Sequence, residues 1–473
     1  MTKLKSVVVI GISFWFCAAT AVVCRAQFQT IGKFTGKNGS GPEWETLVQG
    51  TDGNLYGTTT LGGASDKGTV FKITPSGKLT SLYSFCSLAN CADGNGAFSG
   101  VLQGLDGNFY GVTAFGGANG DYGTVFKITS KGALTTLHSF ASTDGAEPFG
   151  QLIQASDGNF YGTTLIGGTT NNGTVFKITS SGALTTLYNF CSLPNCTDGL
   201  WPHAGVIQGF DGDFYGTTEG SDSIGGNAFK LTPGGKLTTL YTFCAQTSTT
   251  CTGASAPYGA LVQATNGSFY GTTVLGGADA EGTVFKISPA GVLTVIYTFL
   301  NDGADGATPE SALIQGNDGN LYGTTISGGL TGSGTLYQLT LSGELTSIYS
   351  LNCGVDYCPD NSNPYGGLVQ YTSGVFYGTT YQGAGTVYSF GYNLYAFVAT
   401  RPTSGRVGSK VVIIGSPLKD TNSVTFNGVP ANFTVVSNTE ITATVPEGAT
   451  TGSVEVTVPG AEYKSNIPFR VTQ

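Results

Sequence analysis

The sequence predicts an all-β protein built as a seven-bladed β-propeller with a small second β-domain after it, and three observations carry that expectation. The words D-G-N-F-Y-G-T-T, cleanest at Asp157 to Thr164, return along the chain and place Tyr56, Tyr110, Tyr161, Tyr215, Tyr270, Tyr322 and Tyr377 at a spacing near fifty residues. Self-similarity at such a period marks a repeat architecture. Among 473 residues there are 74 glycines, one methionine and only 10% charged residues, which disfavours long amphipathic helices and favours short strands joined by glycine turns. Within each period four apolar segments alternate with turn signals, the pattern of a propeller blade.

Residues 1–26 combine Lys3 and Lys5, an apolar run from Val7 to Val23 and a small-residue exit at Cys24-Arg25-Ala26, and are read as a cleaved secretory signal. Gln27 is then the expected mature N-terminus, with the propeller over residues 27–394 and the second domain over 395–473. Cys24 poses the question of lipidation, but the valine before it fits a lipobox poorly. Without the signal, 17 basic residues face 29 acidic ones, a net charge of −12. Such a chain is not expected to hold nucleic acid or anionic lipid by bulk electrostatics. No later apolar segment has membrane-spanning length, so an exported protein of the cell surface, periplasm or exterior is expected.

Phe28 to Phe34 align with Leu79 to Phe85, the end of a repeat, so the chain begins with a spare last strand. The third repeat, Gly150 to Phe190, shows a full set: strand A in Q-L-I-Q, B in N-F-Y-G-T-T, C in G-T-V-F-K-I-T and D in L-T-T-L-Y-N-F. Asp157-Gly158 turns A into B and Ser181-Gly182 turns C into D. The seventh repeat supplies A to C between Leu368 and Phe390 but has no D, so the spare strand is expected to close the ring at its rim and remove an exposed edge.

The words D-G-N-F-Y-G-T-T-x-x-G-G, G-T-V-F-K-I-T and G-x-L-T-x-L-Y-S-F resemble the GloVer tandem repeats (choice-of-anchor type) of exported bacterial proteins, and more loosely the repeats of sensor-kinase propellers. The resemblance spans about residues 28–391, departs from the pattern at Gly220 to Asn227 and at Ser373-Gly374-Val375, and implies a fold without implying an activity. Thr400 to Gly415, Val424 to Gly428 and Thr439 to Gly452 resemble an IPT/TIG domain, an immunoglobulin-like sandwich that usually spaces or docks other domains. Strand alternation and turn spacing support a sandwich independently.

Eight cysteines fall in four near-neighbour pairs, Cys86/Cys91, Cys191/Cys196, Cys244/Cys251 and Cys353/Cys358, which in an exported chain reads as four local disulfides. Zinc would need these pairs to converge, and no C-x2-C spacing occurs. No metal or other cofactor is expected.

With strand A innermost, the B→C and D→A loops share one face and carry the disulfides and the length variation. That face is the expected binding surface. Strand A carries a glutamine in every repeat (Gln49, Gln103, Gln154, Gln208, Gln263, Gln315, Gln370), expected to satisfy backbone groups between blades rather than to bind a ligand. Five residues earlier stand Trp44, Phe98, Phe149, His203, Tyr258, Glu310 and Tyr365. Equal offsets map to equal radius and height in a closed propeller, so these seven should form one ring, either a stacking platform for a glycan or peptide or a set of plugs between blades. Ten residues before the glutamine lie Asp93, Asp144, Asp198, Asp305 and Asp360, mostly before glycine. As a carboxylate ring they would hold a cation or repel anions, and as single Asp-Gly turns they bond their own backbone.

The only histidines are His138, at a position held elsewhere by tyrosine, and His203. No nucleophile elbow, metal-ligand motif or phosphate loop occurs. The leading expectation is therefore a non-catalytic binding or interaction protein, with carbohydrate among its ligands. A polysaccharide lyase or hydrolase would have to use His203, Glu310 and mouth aspartates as acid and base, and a structural or adhesion component of the surface is the third reading.

Overall fold

A computed structural model describes residues 27–44, 46–221, 225–245, 253–300, 304–353 and 361–472. The expected signal segment, Cys251, Cys358 and Asp360 lie outside the described residues.

Seven four-stranded antiparallel sheets follow one another in chain order. In the third blade they are Ile153–Gln154, Phe160–Thr164, Thr174–Ile178 and Leu184–Asn189, paired each to the next. Burial follows position: strand B is buried along its whole length, strand C but for its lysine, and strand D is partly exposed at the rim. The seventh blade closes with the first strand of the described chain, Gln27–Lys33, antiparallel to Thr386–Gly391, with Phe28 opposite Phe390 and Lys33 opposite Thr386.

The repeated words have local physical reasons. In D-G-N-F-Y, Asp157 Oδ2 accepts hydrogen bonds from Asn159 Nδ2 (2.8 Å), Tyr161 Oη (2.8 Å) and Lys177 Nζ (2.9 Å), so the turn, the strand and its neighbour share one carboxylate. Against the desolvation of a partly covered group, those bonds hold the Asp157 pKa down to about 2. The tyrosine ring then leaves its own blade: Tyr56 stacks on Phe109 at 3.9 Å, Tyr110 on Phe160 at 4.0 Å and Tyr161 on Phe214 at 4.1 Å. Each stack belongs to an apolar cluster shared by two consecutive blades, so the core lies in the seams between sheets. The first threonine of G-T-T ties neighbouring blades as well, for example Thr163 Oγ1 to Ala204 O at 2.9 Å.

The strand A glutamines complete a ring of inter-blade bonds. Gln154 donates to Gly158 O in its own A→B turn (2.9 Å) and accepts from Leu105 N of the preceding blade (3.0 Å). The same pattern continues around the axis, and Thr372 N to Gln49 Oε1 (3.0 Å) closes it between the last blade and the first.

The C-terminal unit is a sandwich of two four-stranded sheets around a core that includes Val411, Ile413, Val424, Phe426, Ile441 and Val456. It sits on the tight-turn face of the propeller, the face to which sequence reasoning gives only a local structural role. Arg401, whose guanidinium is buried, donates to Gln49 O (2.6 Å) and to Gln103 Oε1 (2.9 Å) in the glutamine ring. Phe397 N donates to Thr372 O (2.9 Å), Thr439 Oγ1 to Thr51 O (2.6 Å), and Arg470 Nη1 to Phe210 O.

Candidate functional site

The opposite face, made of the B→C and D→A loops, carries the candidate site. Most D→A loops carry a proline, of which Pro42, Pro148, Pro202, Pro309 and Pro364 lie against a glycine of the preceding blade, and every one of these loops delivers one large side chain toward the axis. The small residues that follow let the loops crowd there: a Cβ added at Gly205 would lie 2.3 Å from Gln151 O.

Trp44, Phe98, Phe149, His203, Tyr258, Glu310 and Tyr365 are all half-buried and meet around the axis. Phe98 and Phe149 lie 4.9 Å apart by ring centroids; Phe149 stacks on His203 (5.5 Å, 11°) and His203 on Tyr258 (4.8 Å, 18°). Trp44 reaches across the middle, contacting Phe98 (5.8 Å), Phe149 (6.3 Å), His203 (5.2 Å) and Tyr365 (6.2 Å), from a left-handed backbone at φ +42°. Its indole Nε1 donates to Glu310 Oε2 at 2.7 Å, and Tyr258 Oη donates to Glu219 Oε1 at 2.8 Å. Six of the seven, Phe98 apart, line one axial pocket with about 70 Å³ of free space. The rings therefore gather on the axis, while the seams between blades are filled by the strand B and C aromatics.

Electrostatics at the mouth is one-sided. Burial lifts the Glu310 carboxyl above the usual range; the Trp44 hydrogen bond opposes this and the charge of Glu43 adds to it. Burial likewise lifts Glu43, opposed by a hydrogen bond with Tyr381. Desolvation between two rings pushes the His203 pKa down to about 4, so its imidazole is neutral at pH 7. His203 is thus held between ring faces, while the Glu310 carboxylate accepts the Trp44 indole N–H.

The described loop aspartates, Asp93, Asp144, Asp198 and Asp305, do not join this ring. Asp93 accepts from Tyr83 Oη (2.8 Å), Ser87 N (2.9 Å) and Leu88 N (3.1 Å), and Asp198 from Tyr188 Oη (2.8 Å), Ser192 N (2.8 Å) and Leu193 N (3.2 Å). Against the desolvation of its buried position, these bonds lower the Asp93 carboxyl below its usual range. Asp305 meets Tyr297 in the same way. Asp144 meets His138, whose Nε2 lies 2.9 Å from Asp144 Oδ2, so His138 takes the tyrosine's place in a tie between strand D and its outgoing loop. The described aspartates of the five thus spend their carboxylates on strand D and on their own loops, and no cluster of potential metal ligands occurs among the described residues.

Disulfides join Cys86 to Cys91 and Cys191 to Cys196 in the D→A loops. Cys244 and Cys353 are also disulfide-bonded. Glu43, Glu219 and Tyr381 are the mouth residues that sequence reasoning missed. Glu219 and Tyr381 share one position, eleven residues after their glutamines, but the other repeats place Thr60, Ala114, Leu165, Val274 and Ile326 there, so no repeated residue type marks it; Glu43 stands next to Trp44.

Fold and loop face together define a propeller of tandem sequence repeats with an immunoglobulin-like domain on its closed end. The chain belongs to the Gloeobacter/Verrucomicrobia repeat family, whose model matches residues 20–223 and again 202–404, and the IPT/TIG domain model matches residues 397–471. No curated protein matches it. Solved structures that resemble it include a Bacteroides uniformis protein with a provisional 6-phosphogluconolactonase assignment (18% identity, 69% of this chain and 88% of that one, TM-score 0.45). A protein provisionally assigned as a gluconolactonase (12%, 78% and 93%, 0.38) and a Bacteroides thetaiotaomicron protein of unknown function (14%, 77% and 76%, 0.43) are also similar. At these scores the likenesses carry no inference about activity.

Proposed function

We propose that this is an exported, non-catalytic interaction protein of the cell surface or exterior that binds its ligand through the aromatic ring at the open mouth of the propeller. The observation that carries the reading is the convergence of seven equivalent, half-buried positions on the axis, six of them lining one pocket, while the opposite end is covered by the C-terminal domain. Aromatic faces held by a rigid scaffold stack on a sugar or peptide at little entropic cost. Loop disulfides and the repeat family support an oxidising, extracytoplasmic location.

The test is a glycan and peptide array probed with the mature chain, followed by titration of the hits against Trp44→Ala and Tyr365→Ala and measurement of reducing-sugar release. Each substitution is expected to weaken binding by about 0.5–1.5 kcal/mol beyond the lost contact area. Binding left intact by both variants, alongside a stability loss of about 3–5 kcal/mol, would mean the rings only pack.

A further inference from the structure

We propose that the axial pocket receives an organic ammonium group, the head of a lysine side chain on a partner polypeptide, entering end-on from the loop face. The proposal rests on the reading of the mouth as a binding site and names the chemistry that site would take. Its first support is the combination of ring faces with carboxylates. Aromatic faces attract cations through their quadrupole, and Trp44, Phe149, Tyr258 and Tyr365 line the pocket together with Glu310. Glu219 is bonded to one of these rings, and Glu43 is close enough to Glu310 for its charge to be felt there.

The second support is the lack of competing positive charge. Neither lysine nor arginine lines the pocket among the described residues, and His203, its one basic group, is desolvated into its neutral form. More widely, no arginine occurs between residues 26 and 400, and only Lys37 and Lys67 of the propeller's lysines lie in the loops of this face. An anionic sugar or phosphate would meet the Glu310 carboxylate with no lysine or arginine in the lining to pair it.

The third support is shape. The free space lies between ring faces with the Glu310 carboxylate among its lining. A slender aliphatic chain ending in an ammonium fits such an opening, and its methylenes would run along the rings while the head reaches Glu310. An amino sugar carries the same charge on a wider body and is the competing source.

The experiment titrates the full chain, followed by tryptophan fluorescence, with the methylamides of Nα-acetyl-lysine, Nα-acetyl-Nε-trimethyl-lysine and the neutral Nα-acetyl-norleucine, and with a glucosamine tetramer. Both lysine compounds are expected to bind about 10-fold tighter than norleucine. Glu310→Gln, which keeps an acceptor for the Trp44 indole, is expected to remove most of that difference with an unchanged melting temperature. Equal binding of norleucine, an unaffected Glu310→Gln variant, or a tetramer that binds where lysine does not would overturn the lysine assignment. If neutral probes bind and Trp44→Ala abolishes that binding, the ring remains the binding site and only the cation inference falls. Silence of all four compounds up to roughly 10 mM would also overturn it.

Discussion

Replacing His203 by phenylalanine should flatten the acid limb of the stability profile. The imidazole stacks between Phe149 and Tyr258 with Trp44 on its edge, and its pKa falls from 6.5 to about 4 in the folded chain. A histidine held neutral by folding binds fewer protons folded than unfolded between those values. Stability therefore rises with pH across the window, is complete above pH 6.5 and is lost as pH falls toward 4. At about 1.36 kcal/mol per pKa unit the whole shift amounts to roughly 3 kcal/mol. Part of the residue reaches solvent at the mouth, which discounts this to about 2 kcal/mol between pH 7 and pH 4.5. Glu310 and Glu43, with raised pKa values, act in the opposite sense over nearby pH, because the folded state binds their protons more readily. The measurement is therefore the difference between wild type and His203→Phe, in which the carboxylates are common to both. Urea denaturation followed by circular dichroism at half-unit steps of pH should show the variant gaining about 2 kcal/mol on the wild type by pH 4.5. Parallel profiles would refute the claim that folding keeps this histidine neutral.

Tyr337 and Tyr388 stand where other blades carry phenylalanine, fully buried and with no partner for either hydroxyl. Tyr337→Phe and Tyr388→Phe should each raise stability by about 1 kcal/mol, since an unpaired buried hydroxyl costs about that much or more; a lower denaturation midpoint would count against this. Gln103 also accepts Arg401 from the C-terminal domain, so Gln103→Ala should cost about 1.5–3 kcal/mol more than Gln154→Ala by thermal denaturation. Equal costs would show that the Arg401 contact contributes nothing. Deleting residues 27–33 should expose the edge of Thr386–Gly391 and produce oligomers visible by light scattering, and a monodisperse monomer would contradict edge closure by that strand.

The repeat made most of the fold legible before any coordinates. A period near fifty, four strand signals per period and a spare strand at the start determine blade number, strand order and closure, because each is a property of local pattern multiplied by symmetry. The same symmetry carries the offset argument that gathers Trp44, Phe98, Phe149, His203, Tyr258, Glu310 and Tyr365 at one height. What symmetry cannot carry lay outside the sequence's reach. Glu219 and Tyr381 share an offset that Thr60, Ala114, Leu165, Val274 and Ile326 fill elsewhere, Glu43 stands beside Trp44, and Trp44 crosses the axis from a left-handed backbone that no other residue of the ring takes. The described loop aspartates, equal in offset to one another, turn to the tyrosines and His138 of strand D, since a buried carboxylate goes where donors are. Arg401 lies outside every repeat, yet it joins the glutamine ring that all seven blades build. A contact between a unique residue and a symmetric one has no periodic trace, and only the folded chain decides it.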